Sequence, residues 1–503
     1  MLTTRIKVLP IPMKTLYITS ESLASFQGPK YLAISHALRE AIKQDQVKEN
    51  EQLPSARELA QQLKTNRHTI MAAYNELIAQ GWINSKQRSG YFVASNLPIN
   101  SSQPATKTNS SVNQEFKWNF VKTATPTNEP VAASFQFNFA GGTPDISLFP
   151  FHEFKSYVND AFARPQLAEL NYGNIAGFSP LIEQVSHYLR RTRSLTNREI
   201  VITNGSQEAL YILSQLLLSP ANSVATEAMG YAPAWRSFQS AGTAVISIKQ
   251  DENGMIPDEL EQAITNQMTA GQPISVIYLT PLHQYPTTVT LPVDRRHAIY
   301  KIASQHNIAI IEDDYDHEYH YRCQPLAPMA SDDPNGLVIY LSTFSKVMFP
   351  GARIGFMALD KTLAQAVTNY RSLMNHKVSV PMQDAIARWM QAGSFERYLR
   401  KATKIYHQRR DFMNQQLTQY QKRGIVESFT LPDGGMAMWI KINQSAKALA
   451  KAALNNDIYI QQEAQFLLEK DQTSDRFIRL GFAGLTEENI EIGLQRLFDQ
   501  KNA

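Results

Sequence analysis

The residues best suited to chemistry lie around Lys346, in residues 341–355. This lysine is flanked by the hydroxyls of Thr343 and Ser345, and Arg353 follows seven residues later. A lysine amine forms a Schiff base with an aldehyde when its surroundings favour the neutral form, and an arginine with hydroxyls binds a dianionic phosphate. The stretch therefore suits an aldehyde cofactor that carries a phosphate. The alternative is a surface lysine and a structural arginine in a polar loop.

The lysine stretch belongs to a part of the chain in which strand-like and helical patterns alternate. Short runs rich in β-branched residues recur from about residue 136 onward, separated by helical patterns. Such alternation predicts an α/β fold with a mostly parallel sheet covered by helices on both faces. Ligands of these sheets bind beyond the carboxyl ends of the strands. The predicted strands are 199–203, 223–226, 244–248, 274–279, 308–311 and 337–341.

Two motifs follow predicted strands and would meet at that edge. A glycine turn with Ser206 opens a helix after the first strand, and backbone amides at a helix start form an anion site. Asp313 follows the strand at 308–311, where a buried carboxylate would pair with a pyridine nitrogen and keep it protonated. The alternatives for Asp313 are a solvated strand end or a metal ligand, and no matching His/Cys ligand set supports a metal.

Tyr231 and Arg479 carry weaker signals. Tyr231 would stack on a pyridine ring, although, taken alone, it is better explained as an ordinary core or surface tyrosine. Arg479 lies in an apolar strand between Ile478 and Leu480. An arginine in such a place needs an anionic partner, which is either an internal carboxylate or the carboxylate of a ligand.

The first hundred residues show a different pattern, of short amphipathic helices followed by a hairpin. Ser55 and Glu58 form a capping box at one helix, Asn66 caps the next, and β-prone runs follow at 82–83 and 91–93. The order predicts a winged helix-turn-helix, whose second helix enters the DNA major groove N-terminus first. A small helical domain with a solvated polar face is the alternative. The residues placed for phosphates and base edges are Arg57, Asn66, Arg67, His68, Thr69, Lys86 and Arg88.

The composition fits a soluble protein of several domains. The 503 residues are 43% hydrophobic and 19% charged, which is typical of globular chains. A net charge of +4 is compatible with nucleic acid but does not indicate it alone. The single cysteine, Cys323, excludes an internal disulfide framework and fits a reducing compartment. Because no apolar run has the length of a signal peptide or a membrane span, we expect a cytoplasmic protein with no membrane partner.

Two stretches of sequence carry a family resemblance. Residues 28–95 resemble the DNA-binding domain of GntR-type bacterial repressors, through the motifs Pro29-Lys-Tyr-Leu, Leu53-Pro-Ser-Ala-Arg-Glu-Leu-Ala, Asn66-Arg-His-Thr-Ile and Gly81-Trp-Ile. Residues 136–500 resemble fold-type I aminotransferases, through the turn at 204–210, Asp313 with Tyr315, Lys346 with Arg353, and Arg479. Together with Thr280-Pro-Leu-His-Gln-Tyr-Pro and Asp313-Asp-Tyr-Asp, this pairing is similar to the MocR subfamily of regulators.

The resemblance implies a cofactor and a role for each residue. Lys346 would hold pyridoxal 5'-phosphate as an internal aldimine, with Asp313 facing the ring nitrogen and Tyr315 the ring hydroxyl. Tyr231 would stack on the ring, and Arg479 would take the carboxylate of an incoming amino compound. The residues expected around the phosphate are Ser206, Gln207, Thr343, Ser345 and Arg353, with Tyr172 from a second subunit.

The sequence departs from working aminotransferases at several positions. These enzymes usually carry Asn-Pro-Thr-Gly near the ring hydroxyl, whereas here Tyr285 stands in place of the asparagine and Thr288 in place of the glycine. Met229 replaces a usual proline, and Ser194 replaces a usual glycine. None of these positions is the proposed Schiff-base lysine, so the departures bear on the ligand rather than on cofactor attachment.

The sequence therefore predicts a homodimeric transcription regulator that binds operator DNA and senses pyridoxal 5'-phosphate, or an amine or amino acid effector that reacts with it. The rival interpretations are an active aminotransferase with a DNA-binding head, and a DNA-binding protein whose large domain holds no cofactor. The predicted organisation is an extension at 1–27, a winged helix at 28–95, a flexible linker at 96–134 and the aminotransferase-like domain, with a small C-terminal α+β subdomain, at 135–503.

Overall fold

The chain divides into two compact units, Met1–Pro126 and Thr127–Ala503. The structure, a computed structural model, describes residues 28–86, 89–95, 97, 135–165, 167–171, 173–321, 324–469 and 473–499. The predicted extension at 1–27 and most of the linker at 96–134 lie outside the described residues. The same holds for Arg88, Tyr172 and Cys323.

The N-terminal unit is a winged helix-turn-helix, as predicted. Its elements are α1 (Lys30–Lys43), α2 (Ala56–Gln62), α3 (Arg67–Ala79), β1 (Ile83–Lys86) and β2 (Gly90–Val93). The two strands pair antiparallel and form the wing. Apolar side chains at helical spacing bury the faces of the three helices in one core, which includes Ile34, Leu38, Leu59, Ile70, Tyr74 and Leu77.

The sequence signals for the helix ends in this unit are confirmed. Ser55 accepts from the Glu58 backbone amide while the Glu58 carboxylate accepts from the Ser55 amide, which completes the predicted capping box. Asn66 caps α3 by accepting from the His68 amide at 2.9 Å. Gly81 follows α3 with φ +75°, a conformation that glycine adopts without steric cost.

The second unit is built on a seven-stranded, mostly parallel sheet, which confirms the predicted α/β fold. The strand order is β4-β12-β11-β10-β9-β5-β6, in which β12 runs antiparallel to both of its neighbours. The strands are β4 (Glu199–Thr203), β5 (Ser223–Glu227), β6 (Ala244–Ile248), β9 (Ile274–Leu279), β10 (Ala309–Asp313), β11 (Val338–Thr343) and β12 (Gly355–Leu359). Short strands outside this sheet are β3 (Phe137–Asn138), β7 (Gln250–Asp251) and β8 (Gly254–Met255).

Two strands run further than the sequence predicts. The strands predicted to end at residues 311 and 341 continue to Asp313 and Thr343. The sequence places these polar residues after the strands, but distant segments provide hydrogen-bond partners for most of their buried polar atoms, and the ladder continues. Both carboxylate oxygens of Glu312, for example, accept backbone amides, from Met329 and Ala330. Asp313 and Thr343 therefore sit at the carboxyl end of the sheet itself.

Helices cover both faces of this sheet, and a smaller sheet follows it. The helices are α4 (Phe151–Ala163), α5 (Leu167–Leu170), α6 (Ser179–Arg193), α7 (Gly205–Leu217), α8 (Ala232–Ser240), α9 (Pro257–Thr269), α10 (Val293–Gln305), α11 (Lys361–Ser372), α12 (Val380–Gln391), α13 (Ser394–Lys422), α14 (Ala446–Leu454) and α15 (Glu487–Phe498). The later strands are β13 (Val426–Phe429), β14 (Ala437–Ile442), β15 (Ile458–Tyr459), β16 (Gln461–Gln462) and β17 (Phe477–Gly481). Strands β13-β14-β17-β16 form the smaller sheet, and β15 pairs with β3. Among the described residues, no helix combines the length and the apolar character needed to cross a membrane.

Candidate functional site

The carboxyl ends of the central strands open into a cavity of about 210 Å³. Residues from several loops and strand ends meet there, as the sheet topology predicts for a ligand site. The cavity is lined by Gly142, Ser206, Gln207, Tyr231, Tyr278, Thr280, Tyr285, Asp313, Tyr315, Thr343, Ser345, Lys346, Pro350 and Arg353. The set contains every residue that the sequence places near the cofactor except Tyr172, which lies outside the described residues.

Lys346 reaches this cavity from the turn after β11. Its Nζ donates to the Gly142 carbonyl oxygen at 2.7 Å. Burial lowers the pKa of the Lys346 ammonium; the Asp316 and Asp313 carboxylates act against this, while Arg479 adds to it. A lysine amine with a lowered pKa is neutral more often and is then a nucleophile toward aldehydes.

Asp313 is a buried carboxylate with one oxygen left over. Its Oδ2 accepts from the Tyr278 hydroxyl at 2.8 Å, whereas its Oδ1 has no hydrogen-bond partner. Burial raises the pKa of Asp313 to about 7, although the Tyr278 hydrogen bond works in the opposite direction. Because a buried, unpartnered oxygen is costly, this carboxylate is suited to a cationic or N–H-bearing ligand group in the cavity.

A second group of residues is suited to an anion. Ser206 lies in the first turn of α7, whose N-terminal amides and dipole favour negative charge. Thr343 and Ser345 lie 3.0 Å apart, oxygen to oxygen. Arg353 is exposed and donates to the Asn204 carbonyl oxygen at 2.8 Å, beside the same helix start. Gln207 also lines the cavity, but its amide donates to Pro233 and Ser237 instead.

The close approach of backbones at this anion group depends on Gly355. It pairs with both Thr343 and Thr203 across the sheet, so it lies level with the strand ends that form the site. A Cβ atom on Gly355 would lie 2.8 Å from the carbonyl carbon of Gly205 and 3.0 Å from the Ser206 nitrogen. Glycine at this position therefore allows the start of α7 to sit against β12.

Three of the four tyrosines that line the cavity form one aromatic cluster in its wall. The ring centroid of Tyr285 lies 5.6 Å from that of Tyr231 and 6.1 Å from that of Tyr315, both edge to face. The Tyr315 hydroxyl donates to the His283 carbonyl oxygen at 3.0 Å. Burial raises the pKa of Tyr231 to about 12, so its hydroxyl is neutral at ordinary pH.

Arg479 lies next to this wall, in the middle of β17, and is 1% exposed. Its guanidinium carbon is 4.6 Å from the centre of the Tyr285 ring, and its Nε donates to the Pro286 carbonyl oxygen at 3.2 Å. Its Nη1 has no hydrogen-bond partner. Among the described residues no carboxylate forms an ion pair with Arg479, so this nitrogen is open to an acceptor.

The predicted DNA-contacting residues lie in the N-terminal unit. Asn66, Arg67 and His68 are exposed at the start of α3, and Thr69 is half-buried. Arg57 is exposed in the first turn of α2. Lys86 is exposed at the end of β1, where its Nζ lies 4.8 Å from the centre of the Phe92 ring. Six of the seven predicted residues are thus located on this unit's helix-turn-helix or wing.

Comparisons with known proteins give a family match for each of the two units. Residues 150–497 match the family of aminotransferases of class I and II, and residues 30–93 match the bacterial regulatory proteins of the gntR family. The chain belongs to the aminotransferase class I and II family. Its head is a GntR-family domain, and this combination is that of the MocR-type regulators.

Individual relatives show the same division. The probable rhizopine catabolism regulatory protein MocR of Rhizobium meliloti is 26% identical over 481 residues, covering 93% of both chains. Aromatic-amino-acid aminotransferase 1 of Thermococcus litoralis is 28% identical over 363 residues, 71% of this chain and 86% of that protein. The structure of kynurenine aminotransferase from Pyrococcus horikoshii, also 28% identical, superimposes with a TM-score of 0.66, covering 72% of this chain and 89% of that chain.

As an aminotransferase-type domain, the large unit of this MocR-type chain binds pyridoxal 5'-phosphate. The cavity fits that group in its chemistry. An amine with a lowered pKa suits the aldehyde, and an unpartnered Asp313 oxygen suits the ring nitrogen. The hydroxyl, arginine and helix-start group suits the phosphate.

Two departures from the family pattern have a backbone consequence. Thr288 and Ser194 stand where the aminotransferases carry glycine, and both keep a left-handed conformation, with φ of 64° and 54°. Residues other than glycine rarely adopt this left-handed region, because it costs them on the order of 1 kcal/mol each. The MocR-type chain therefore has, at both positions, a backbone conformation that glycine favours, although both residues carry side chains.

Some residues of the site carry no signal in the sequence. Tyr278 looks like one apolar residue of a buried strand, yet it holds Asp313. Gly142 contacts Lys346 across 204 residues of sequence, which no local pattern reveals. His283 and Asp316 lie within the motifs that resemble the MocR subfamily, and their pairing carries no local signal; in the structure His283 Nδ1 lies 2.6 Å from Asp316 Oδ1.

Proposed function

We propose that this MocR-type chain is a DNA-binding transcription regulator that senses pyridoxal 5'-phosphate, or an amine or amino acid that reacts with it. In this proposal Lys346 holds the cofactor covalently, and Arg479 receives the carboxylate of an amino compound. The observation that carries the proposal is the cavity itself, which gathers Lys346, Asp313 and Arg353 in a chain that also has a winged helix.

Each group in the cavity would contact a different part of the cofactor. The cofactor supplies an aldehyde for the lysine and an electron-withdrawing ring. Asp313 holds a proton on the ring nitrogen, Tyr315 lies beside the ring hydroxyl, and Tyr231 stacks on the ring. Phosphate binding falls to Ser206, Gln207, Thr343, Ser345 and Arg353. The DNA-binding task falls to Arg57, Asn66, Arg67, His68, Thr69, Lys86 and Arg88.

We also propose that the regulator is a homodimer, because its large unit exposes an apolar edge. This apolar edge consists of Leu167, Leu170, Leu373 and Met374, with Leu373 83% and Leu167 75% exposed. The two segments are neighbours, since Lys377 Nζ donates to the Glu169 carbonyl oxygen at 2.7 Å. A second copy covering this edge would remove the apolar area from water. The edge adjoins position 172, where the sequence predicts a tyrosine donated to the partner's site.

The proposal is tested by separating the two sites with single substitutions. Lys346→Ala should abolish the visible absorbance of the cofactor-loaded protein and its loss on borohydride reduction, while basal operator binding persists. Arg67→Ala should weaken operator binding and leave the absorbance unchanged. Arg190→Ala, which removes an equally exposed positive charge from α6, is the matched control and should change neither. Cofactor that borohydride still fixes covalently to the Lys346→Ala variant would refute the assignment of the lysine.

The rival function is that of a working aminotransferase, favoured by the 28% identity to an enzyme over the large unit. Repeated turnover of an amino acid with a keto acid would support this rival. A single round, or none, together with salt-sensitive operator binding, would support the regulator.

A further inference from the structure

A buried histidine–aspartate pair lies beside the cofactor cavity and has no role in the proposed function. His283 follows β9 and Asp316 follows β10, so the loops of two adjacent parallel strands bring them together. Their exposures are 3% and 2%, and His283 Nδ1 lies 2.6 Å from Asp316 Oδ1. A buried pair at this distance is a charge-assisted hydrogen bond.

The pair is held between residues that line the cavity. His283 lies between Thr280 and Tyr285, and its carbonyl oxygen accepts from the Tyr315 hydroxyl. Asp316 directly follows Tyr315. On the same short loop, the Tyr319 hydroxyl donates to the carbonyl oxygen of Lys346 at 3.1 Å. The pair therefore shares its backbone segments with the groups around the lysine.

Two glycines in the loop between β13 and β14 leave the space that this pair occupies. A Cβ atom on Gly434 would lie 2.4 Å from His283 Nε2, and one on Gly435 would lie 3.2 Å from Asp316 Oδ2. The Gly435 amide donates to the Tyr319 carbonyl oxygen at 2.8 Å, which fixes this hairpin to the loop. The imidazole is thus enclosed by backbone and has little freedom to leave the aspartate.

The Asp316 carboxylate of this pair is one of the charged groups that act on the Lys346 nitrogen. Burial lowers the pKa of the lysine, and Asp316 is the foremost anion opposing that effect, ahead of Asp313; Arg479 is the nearby cation. Facing the pair itself are the His320 ring, with its centroid 5.9 Å from that of His283, and the hydroxyls of Tyr315 and Tyr321.

We propose that His283 and Asp316 are positioning residues: the imidazole N–H holds the Asp316 carboxylate in place, and that carboxylate stabilises positive charge on the Lys346 nitrogen. The inference rests on the proposed attachment of the cofactor at Lys346. It extends that proposal, because it assigns the control of the lysine's charge to two residues of the motifs that resemble the MocR subfamily.

The test follows the pH midpoint of the visible spectrum of the cofactor-loaded full chain. Asp316→Asn should lower the midpoint by about one pH unit, because it removes an anion that stabilises the protonated nitrogen. His283→Leu should lower it similarly, because the Asp316 carboxylate that has lost its hydrogen-bond donor is no longer held in place near the lysine. His283→Gln retains an N–H donor and should restore a midpoint near that of the wild type. The double variant His283→Leu/Asp316→Asn should shift no further than Asp316→Asn alone.

His317→Leu is the matched control. His317 is equally buried and lies next to Asp316, but it lines a different cavity, of about 890 Å³, and contacts Asp314 and Tyr188. This substitution should lower stability without moving the midpoint. A purely structural role for the pair would give the same result for His283→Leu and Asp316→Asn, and unchanged midpoints in both would overturn the inference.

A second measurement separates failure of this inference from failure of the proposed function. If the wild-type protein takes up no pyridoxal 5'-phosphate, the proposed function fails. The Lys346 nitrogen can then be titrated by NMR in cofactor-free protein after ¹³C reductive methylation, with Lys346→Arg used to assign its signal. The same downward shifts in Asp316→Asn and His283→Leu are expected, and their absence would refute the role of the pair.

Discussion

The buried site contains three polar side chains that do not use all of their hydrogen-bonding capacity: Lys346, Asp313 and Arg479. The lysine has one carbonyl partner, the aspartate has an oxygen without a donor, and the arginine has a nitrogen without an acceptor. Leaving such groups buried and unpaired costs on the order of 1–3 kcal/mol each. A ligand with an anionic, a cationic and an aldehyde group would satisfy all three, which is why this set of residues points to binding.

Asp313→Asn should change how the stability of the cofactor-free protein depends on pH. The folded pKa, about 7, lies above the unfolded value of 3.8, so the stabilising contribution is complete below pH 3.8 and is lost as the pH rises through 7. The asparagine variant lacks this loss. Urea unfolding measures this difference. From pH 5 to pH 8, the unfolding free energy of the variant should rise relative to that of the wild type by roughly a few kcal/mol. A constant difference at both pH values would contradict the burial argument.

Arg479→Gln should remove the preference for ligands that carry a carboxylate. A buried charged hydrogen bond to a ligand contributes about 1.5–3 kcal/mol, so an amino acid should bind roughly 10- to 100-fold more weakly. The amine that lacks the carboxylate is the control and should bind equally to variant and wild type. Spectral titration of the cofactor-loaded protein measures both affinities, and equal losses for the two ligands would assign Arg479 a structural role.

At the scale of elements, local signals predict the fold well and the site only in part. The capping box at Ser55, the glycine turn before α7 and the β-branched runs are local patterns, and the structure confirms the elements they predict. Contacts that depend on topology carry no such signal: Tyr278 meets Asp313 because β9 and β10 are neighbours. The sequence underestimates the lengths of β10 and β11 for the same reason, since most of the polar atoms at their ends are hydrogen-bonded to distant segments.

Gly355→Ala should disturb the joint between β12 and α7. The added methyl group would meet backbone atoms of Gly205 and Ser206, which cannot rotate away as a side chain would. We expect a loss of about 1–3 kcal/mol in unfolding free energy and weaker binding of pyridoxal 5'-phosphate. Gly351→Ala, four residues earlier, meets nothing closer than 3.7 Å and is the control. Similar denaturation midpoints for the two variants would show that the backbones separate easily.

At the scale of the whole molecule, the chain joins a DNA-binding unit to a cofactor-binding unit, and regulation requires that one influence the other. Binding at one site shifts a distant equilibrium only through a difference in affinity between two states. Two-fold operators are matched by two-fold proteins, so the proposed dimer is part of the mechanism.

Leu373→Glu should dissociate the proposed dimer, because it places a charge in the middle of the apolar edge. Met268→Glu changes a similarly exposed apolar residue, 58% exposed on α9, and is the control. Sedimentation velocity should report a monomer for the first variant and a dimer for the second. A dimer in both cases would place the interface elsewhere.

The central claim is that cofactor binding at Lys346 alters operator binding. The most direct measurement is operator affinity at a fixed salt concentration, titrated with pyridoxal 5'-phosphate for the wild type and for Lys346→Ala. We expect the wild-type affinity to change by about 5-fold or more, the range of ordinary allosteric coupling, while the variant stays constant. An unchanged wild-type affinity across saturation of the chromophore, or an equal change in Lys346→Ala, would contradict the account.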